Sequence, residues 1–351
     1  AMRQATDEVY RTQGRAALQY GPSSGYLPLR EKLAQRLTGQ GISCTAENIL
    51  IVSGSQQGLD LAGKVFLEPG DLVVCENPTY LAALTVFRSY ECGLLPIETD
   101  DDGMVPEDLE RKLAANPKAR LMYITPSFQN PTGRTWSLER RRKILEIAQR
   151  YELPILEDNP YGELRYEGQT IPTLKSMDTT GVVTYMGSFS KVLSPGIRLG
   201  WLLAERGLIE KYESAKECAD LQASTLTQMV VDTYLAHNDL DENIRRLNEL
   251  YRGRRDKMLA LLAAEFPEGS RWTHPCGGLF LWATLPEGID TDALLPITVA
   301  HKAAYIPGRA FFADGDECRC LRLNFSNASE AQMEQGIAIM GQVFRDALAK
   351  G

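Results

Sequence analysis

The stretch from Leu121 to Asp158 reads LMYITPSFQNPTGRTWSLERRRKILEIAQRYELPILED. Residues 121–124 form a short apolar run of strand length, residues 138–151 carry helical periodicity, and residues 154–156 are a second short apolar run. Ser137 stands where a helix N-cap belongs. Strand, helix and strand in this order form a crossover unit, which joins parallel strands.

The same alternation extends to both sides. Runs at 49–52, 72–75, 94–97 and 182–186 also read as strands, and 57–66, 80–90 and 106–115 read as helices, the last opened by Pro106 in its first turn. The expected fold class is therefore α/β, with a mainly parallel sheet sandwiched by helices in a large domain over residues 14–240. From residue 241 the character changes. A charged helix at 241–265 is followed by Gly277-Gly278, a strand at 279–285, a helix near 291–301, a strand at 320–326 and a last helix from Ser329. This predicts a smaller α+β domain over 241–351, joined by residues 1–13.

Composition narrows the class of function. The hydrophobic share of 44% and charged share of 24% are those of an ordinary soluble globular protein. No apolar run approaches the roughly 20 residues needed to cross a bilayer, so no membrane partner is expected. A signal-peptide pattern is also missing behind the opening Ala1-Met2. A net charge of −8 opposes non-specific nucleic-acid binding, which needs a basic surface. Seven scattered cysteines, an odd number, suit reduced thiols and a cytoplasmic setting, and three separated histidines predict no metal site.

Ligands of such sheets bind at the carboxyl ends of the strands. The loops expected there are chemically loaded. Ser53-Gly54-Ser55-Gln56-Gln57 opens a helix, where backbone N–H groups and the dipole favour an anion; a plain capped turn is the alternative. Ser188-Phe189-Ser190-Lys191, with Arg198 seven residues on, offers two hydroxyls and a guanidinium to a phosphate. A lysine beside that cluster has its pKa lowered and can act as an imine-forming nucleophile, although most lysines are simply exposed. Asp158 ends a core strand and is either a helix cap or the anionic partner of a protonated ring nitrogen. Asn130 and Tyr161 could donate to a phenolate-like oxygen, and Tyr80 offers a face to stack on a ring. In Cys320-Leu321-Arg322-Leu323-Asn324-Phe325-Ser326 the alternation sets Arg322 and Asn324 opposite Leu321, Leu323 and Phe325. Arg322 wants a carboxylate, supplied either by a protein Glu or by a substrate.

The order and spacing of these segments resemble the fold-type I, class I/II aminotransferases. The resemblance is to the group that holds 2-aminoadipate aminotransferases, kynurenine/aminoadipate aminotransferases and the aminotransferase-like domains of MocR regulators. It is carried by Gln19-Tyr20-Gly21, residues 25–30 and 53–57, Asn77-Pro78-Thr79-Tyr80, residues 125–133, Glu157-Asp158-Asn159-Pro160-Tyr161, residues 187–191 and 196–201, and residues 321–325. What it implies is pyridoxal 5′-phosphate as cofactor, with Lys191, Asp158 and Tyr80 as the catalytic residues. Lys191 would form an imine with the cofactor and then shuttle the substrate proton, Asp158 would pair with the ring nitrogen, and Tyr80 would stack on the ring. Asn130 and Tyr161 would bind its phenolic oxygen, and Gly54, Ser55, Gln56, Ser188, Ser190 and Arg198 its phosphate. Arg322, with Asn130, would bind the substrate and clamp its α-carboxylate. In the family a tyrosine matching Tyr20 reaches the phosphate from the neighbouring subunit, which implies a homodimer with shared sites.

The activity implied is transfer of an amino group from an L-amino acid of the 2-aminoadipate, aromatic or branched-chain type to a 2-oxo acid such as 2-oxoglutarate, by a ping-pong mechanism. About 18 residues precede the Gln19-Tyr20-Gly21 segment, where relatives carry a longer arm that helps set specificity. Either the arm is missing from this sequence or side chains are recognised differently. Two alternatives share the cofactor shell: a non-catalytic effector domain of a MocR-type regulator, and another chemistry of this cofactor, such as decarboxylation or C–S bond cleavage. Against the regulator, no helix-turn-helix pattern precedes the fold.

Overall fold

A computed structural model of the chain describes residues 1–315 and 317–349. Its strands in chain order are β1 (Ile49–Val52), β2 (Leu72–Asn77), β3 (Gly93–Asp100), β4 (Gly103–Met104), β5 (Ala119–Ile124), β6 (Ile155–Asp158), β7 (Val183–Ser188), β8 (Gly200–Leu203), β9 (Arg271–Trp272), β10 (Phe280–Thr284), β11 (Ile306–Pro307) and β12 (Cys320–Asn324). Eight of them form one sheet in the order β1-β8-β7-β6-β5-β2-β3-β4. From β7 through β6, β5 and β2 to β3 every pairing is parallel. The mainly parallel α/β sheet expected from the alternating runs is the one found.

Two of these strands escape a reading of the sequence. One is the two-residue β4, antiparallel to β3. The other is β8, whose four residues lie between β7 and β1 and run antiparallel to both. Only residues 189–199 join β7 to β8, and they contain one short 3-10 turn instead of a crossover helix. So short a link forces the chain to reverse. Because β1 and β7 are both antiparallel to β8, they point the same way. The carboxyl ends of β1, β2, β5, β6 and β7 therefore meet along one edge, and the loops that carry the candidate residues lie side by side.

Side chains alternate across the sheet, and both faces are covered. Ile49 and Ile51 enter one apolar cluster while Leu50 and Val52 enter another. Likewise Leu121 and Tyr123 face one side of β5, and Met122 and Ile124 the other. Runs apolar at every position are what a doubly covered sheet requires. The crossover helix Leu138–Arg150 begins where its cap predicts, with the Ser137 hydroxyl accepting from the Arg140 N–H. Helix Met2–Ala17 buries Ala5, Val9 and Ala17 in the same cluster as Met229, Val230 and Tyr234 of helix Thr225–His237.

The remaining four strands make an antiparallel sheet in the order β11-β12-β10-β9. Leu281, Ala283, Leu321, Leu323 and Phe325 pack from it onto Met258, Leu262 and Phe344. Helix Leu240–Glu265 ties the two cores together, with Leu240 and Ile244 in the first and Met258 and Leu262 in the second. The opposite face of β12, where Arg322 stands across from Trp282, turns toward the large sheet, and Arg322 there reaches Asn130. Among the described residues no helix is long and apolar enough to cross a membrane, and no group of three or more His, Cys, Asp and Glu side chains could hold a metal.

Leu281 is fully buried at the centre of this second core. Leu281→Ala is expected to destabilise the protein by about 2–5 kcal/mol through lost burial and a residual cavity. Urea unfolding would show this as a lower midpoint with an unchanged slope; an unchanged midpoint would contradict the packing.

Candidate active site

Asp158 is the last residue of β6 and is almost wholly buried. Its Oδ2 accepts the Tyr123 hydroxyl at 2.9 Å, while its buried Oδ1 has no hydrogen-bond partner among the described residues. Burial pushes the carboxyl up to about 7, opposed by the Tyr123 bond and the Lys191 charge. Among the described residues the Asp158 side chain caps no helix. An unpaired carboxylate oxygen in a buried site is costly unless a donor arrives.

Lys191 lies in the β7–β8 connection and faces the same cavity. Burial lowers its pKa first, the Arg322 and Arg198 cations lower it further, and Asp158 acts in the opposite sense. The amine is thereby biased toward its neutral, nucleophilic form.

At one end of the cavity the chain builds an anion cradle. Gly54 is the N-cap of helix Ser55–Phe66, at φ 82°. A Cβ there would stand 2.5 Å from Arg198 Nη2, so only glycine lets the guanidinium come this close. Arg198 itself is left-handed, at φ 51°, and its Nη2 donates to the Ser53 carbonyl at 3.4 Å. The Ser188 hydroxyl accepts the Ser190 N–H at 3.0 Å and donates to the Leu199 carbonyl at 3.4 Å, closing the turn that presents Ser190 and Lys191. Ser55, Gln56, Ser188, Ser190 and Arg198 all line the cavity. N–H groups in a first helical turn lack intrahelical acceptors, so they are free to bind an anion.

Tyr80, Asn130 and Tyr161 form the other walls. Tyr80 and Asn130 come from loops with cis Asn77-Pro78 and Asn130-Pro131 bonds. Asn130 Oδ1 accepts Arg322 Nη1 at 2.8 Å. The guanidinium lies over the Phe280 ring at 4.2 Å and near Phe311 at 5.1 Å, and its buried Nε has no partner. No carboxylate among the described residues forms an ion pair with it, so the protein-Glu option left open by the sequence is not what the fold uses. Burial lowers the Arg322 pKa, while Tyr161 and Tyr80 oppose the shift.

Ten candidate residues thus line one cavity of about 150 Å³. Gly54 and Arg322 touch its walls through Arg198 and Asn130. Tyr20 is the exception: it is 82% exposed and does not line this cavity. Three further residues, Tyr123, Thr125 and Pro160, line the cavity without having been singled out in the sequence. Tyr123 lies inside an apolar strand run, where a tyrosine reads as core. Its only signal was a phenol that, once buried, needs a hydrogen-bond partner.

Behind the site, the fully buried Glu76 accepts the Thr125 N–H at 3.0 Å and the Trp136 indole N–H at 3.1 Å. Burial holds its carboxyl at about 8 against those bonds. It ties the end of β2, which leads to Tyr80, to the loop that carries Asn130.

The family model of aminotransferase class I and II matches residues 1–339. The chain belongs to the class I and II aminotransferases. Aromatic-amino-acid aminotransferase 1 of Thermococcus litoralis is 44% identical over 98% of this chain and 84% of its own length. The solved structure of Pyrococcus horikoshii kynurenine aminotransferase, with PMP, superposes at a TM-score of 0.95 and 42% identity, covering 99% of this chain and 87% of that one. Thermus thermophilus LysN, an α-aminoadipate aminotransferase complexed with N-(5′-phosphopyridoxyl)-L-leucine, superposes at 0.95 with 34% identity, covering 100% and 89%. This aminotransferase has the fold-type I architecture and uses pyridoxal 5′-phosphate as its cofactor. The site fits that group: an open Asp158 oxygen suits a protonated ring nitrogen, and the Gly54–Arg198 cradle suits a phosphate.

The raised carboxyls give a pH signature to the cofactor-free protein. Between 3.8 and about 7, folded Asp158 keeps a proton that the unfolded chain has released. Its contribution to stability is full below that window and lost as pH rises through about 7; Glu76 acts in the same sense between 4.5 and about 8. Asp158→Asn should therefore flatten the fall in Tm between pH 4 and 7, measured by differential scanning calorimetry. A slope identical to that of the unaltered protein would contradict the burial.

Proposed function

We propose that this aminotransferase moves the amino group of an L-amino acid, of the 2-aminoadipate, aromatic or branched-chain type, to a 2-oxo acid such as 2-oxoglutarate in two ping-pong half-reactions. The observation that carries the reading is a half-buried arginine, Arg322, held beside Lys191's cavity with no carboxylate among the described residues to neutralise it. Such a guanidinium suits a substrate α-carboxylate. Aromatic amino acids, kynurenine and α-aminoadipate are named for its relatives, and the branched-chain type is suggested by the leucine adduct bound to LysN.

When bound, pyridoxal phosphate supplies a carbonyl that condenses with amines and a protonated ring that takes up the electron pair left as Cα–H breaks. The Lys191 Nζ, its pKa lowered, would be held as a neutral amine able to take the proton from the substrate Cα. Asp158 Oδ1, buried and open, would accept from the ring N–H and so keep the ring electron-poor. Asn130 and Tyr161 would donate to the phenolic oxygen, and Tyr80 would offer its face to the ring. Gly54, Ser55, Gln56, Ser188, Ser190 and Arg198 would hold the phosphate. Arg322 would hold the substrate α-carboxylate and so fix the orientation of its Cα–H bond. We further propose a homodimer in which Tyr20, exposed on its own subunit, would serve a neighbour's phosphate site, as the family resemblance implies. Division into a large unit over residues 14–240 and a small unit over 241–351 with 1–13 accompanies this reading.

Purified protein given an L-amino acid panel and 2-oxoglutarate is expected to form glutamate. Cofactor bound but no glutamate from any donor would sink the assignment, and release of CO2 or sulfide would mark a different chemistry. Lys191→Ala should bind the cofactor without the imine absorbance band and turn over negligibly; retained turnover would exclude Lys191 from the mechanism. Arg322→Ala should lower kcat/KM by roughly 10- to 100-fold, the loss of charge-assisted bonds to a carboxylate, mainly through KM.

A further inference from the structure

Tyr123 lines the cavity, yet none of the roles above uses it. It lies on β5 beside β6, fully buried, with its ring edge-on to Phe87 at 5.9 Å. Its hydroxyl donates to Asp158 Oδ2 at 2.9 Å and accepts from the Thr125 hydroxyl at 3.4 Å. Among the described residues this is the only hydrogen bond that reaches the Asp158 carboxylate, and the other oxygen is buried and open.

A carboxylate has two equivalent oxygens and a soft terminal torsion. Packing alone does not decide which oxygen faces a ligand; a donor on one of them does. We propose that Tyr123 is a positioning residue for Asp158: by donating to Oδ2 it fixes the carboxylate's rotation and presents Oδ1 alone to a protonated ring nitrogen. The proposal rests on the reading of Asp158 as the ring-nitrogen partner.

The same bond acts on charge. Burial favours the neutral carboxyl, and an O–H donated to the anion counteracts it. The other titratable groups facing Asp158 are Lys191, Tyr80, Tyr161 and Tyr185. All three tyrosines have pKa values raised by burial and by Asp158, so they stay neutral, and Lys191 is the one other group that favours the ionised carboxylate. Tyr123→Phe removes one oxygen and keeps the ring against Phe87. It is expected to leave Asp158 protonated through neutral pH.

The test titrates cofactor-free protein with pyridoxal 5′-phosphate from pH 6 to 9. Binding is followed by tryptophan fluorescence, and ring-nitrogen protonation by NMR of 15N-labelled cofactor. Tyr123→Phe should bind on the order of tenfold more weakly at pH 7, the loss of one hydrogen bond to a charged group. The deficit should shrink toward pH 9 as the carboxyl ionises again. A deficit of the same size at every pH would point to packing alone and overturn the inference. So would a Tyr123→Phe protein matching the unaltered one while Asp158→Asn is impaired, an outcome that leaves the role of Asp158 standing. If Asp158→Asn also matches, the reading of Asp158 falls and the role of Tyr123 falls with it.

Discussion

A carboxylate taken out of water at the end of a central strand has to be answered, and Asp158 is answered only halfway. Tyr123 satisfies one oxygen and nothing among the described residues satisfies the other. The rest of the site is arranged around that half-open group. Lys191 approaches from the β7–β8 connection, and the cis-proline loops after β2 and β5 bring Tyr80 and Asn130 to the cavity's other walls. The sheet makes this possible because its parallel strands end at one edge. The most polar group is set where the strands stop and the loops begin. In the proposed chemistry the ring nitrogen of a bound cofactor would meet the uncompensated oxygen.

The charge distribution follows the same logic. The chain carries a net −8, yet the cavity gathers Lys191, Arg198 and Arg322 around the single buried Asp158. An acidic protein with a locally cationic pocket repels bulk anions weakly and draws small ones to one place. Both anionic groups in the proposed chemistry, a phosphate and an α-carboxylate, find a guanidinium at opposite ends of the site. Stacking on Phe280 and Phe311 holds Arg322 flat while leaving its Nε and one amino group free of protein carboxylates.

Much of this was legible in the sequence for physical reasons. Buried parallel strands need unbroken apolar runs, so β1, β2, β5, β6 and β7 stand out, and the helices between them carry their own period. Ten of the candidate residues lie together because each follows such a strand in sequence, and the Arg322 face of β12 follows from simple alternation. The rest was not legible. β8 is four residues beginning with glycine, directly behind a loop, and nothing local distinguishes it from the loop's own tail. Tyr123 sits among leucine, methionine and isoleucine, where a phenol and a phenyl ring look alike; its partner is 35 residues away. That Asn130, and not an acid, would meet Arg322 depends on contact between two sheets far apart in sequence.

The antiparallel β8 has a consequence for how this protein can vary. By pairing with β7 directly after the turn, it anchors both ends of residues 189–199 to adjacent strands. Lys191 stands near one anchor and Arg198 near the other. Their separation is therefore a matter of loop length, not of side-chain choice. An insertion or deletion there would change the span between the amine and the phosphate cradle, whichever residues it contained. The β5–β6 and β2–β3 connections also join paired strands, but as crossovers that carry the helices Leu138–Arg150 and Leu81–Ser89, and the face of β12 belongs to another sheet. Change of substrate can accumulate in those parts while the β7–β8 loop keeps its length, so the segment serves as the molecule's fixed gauge.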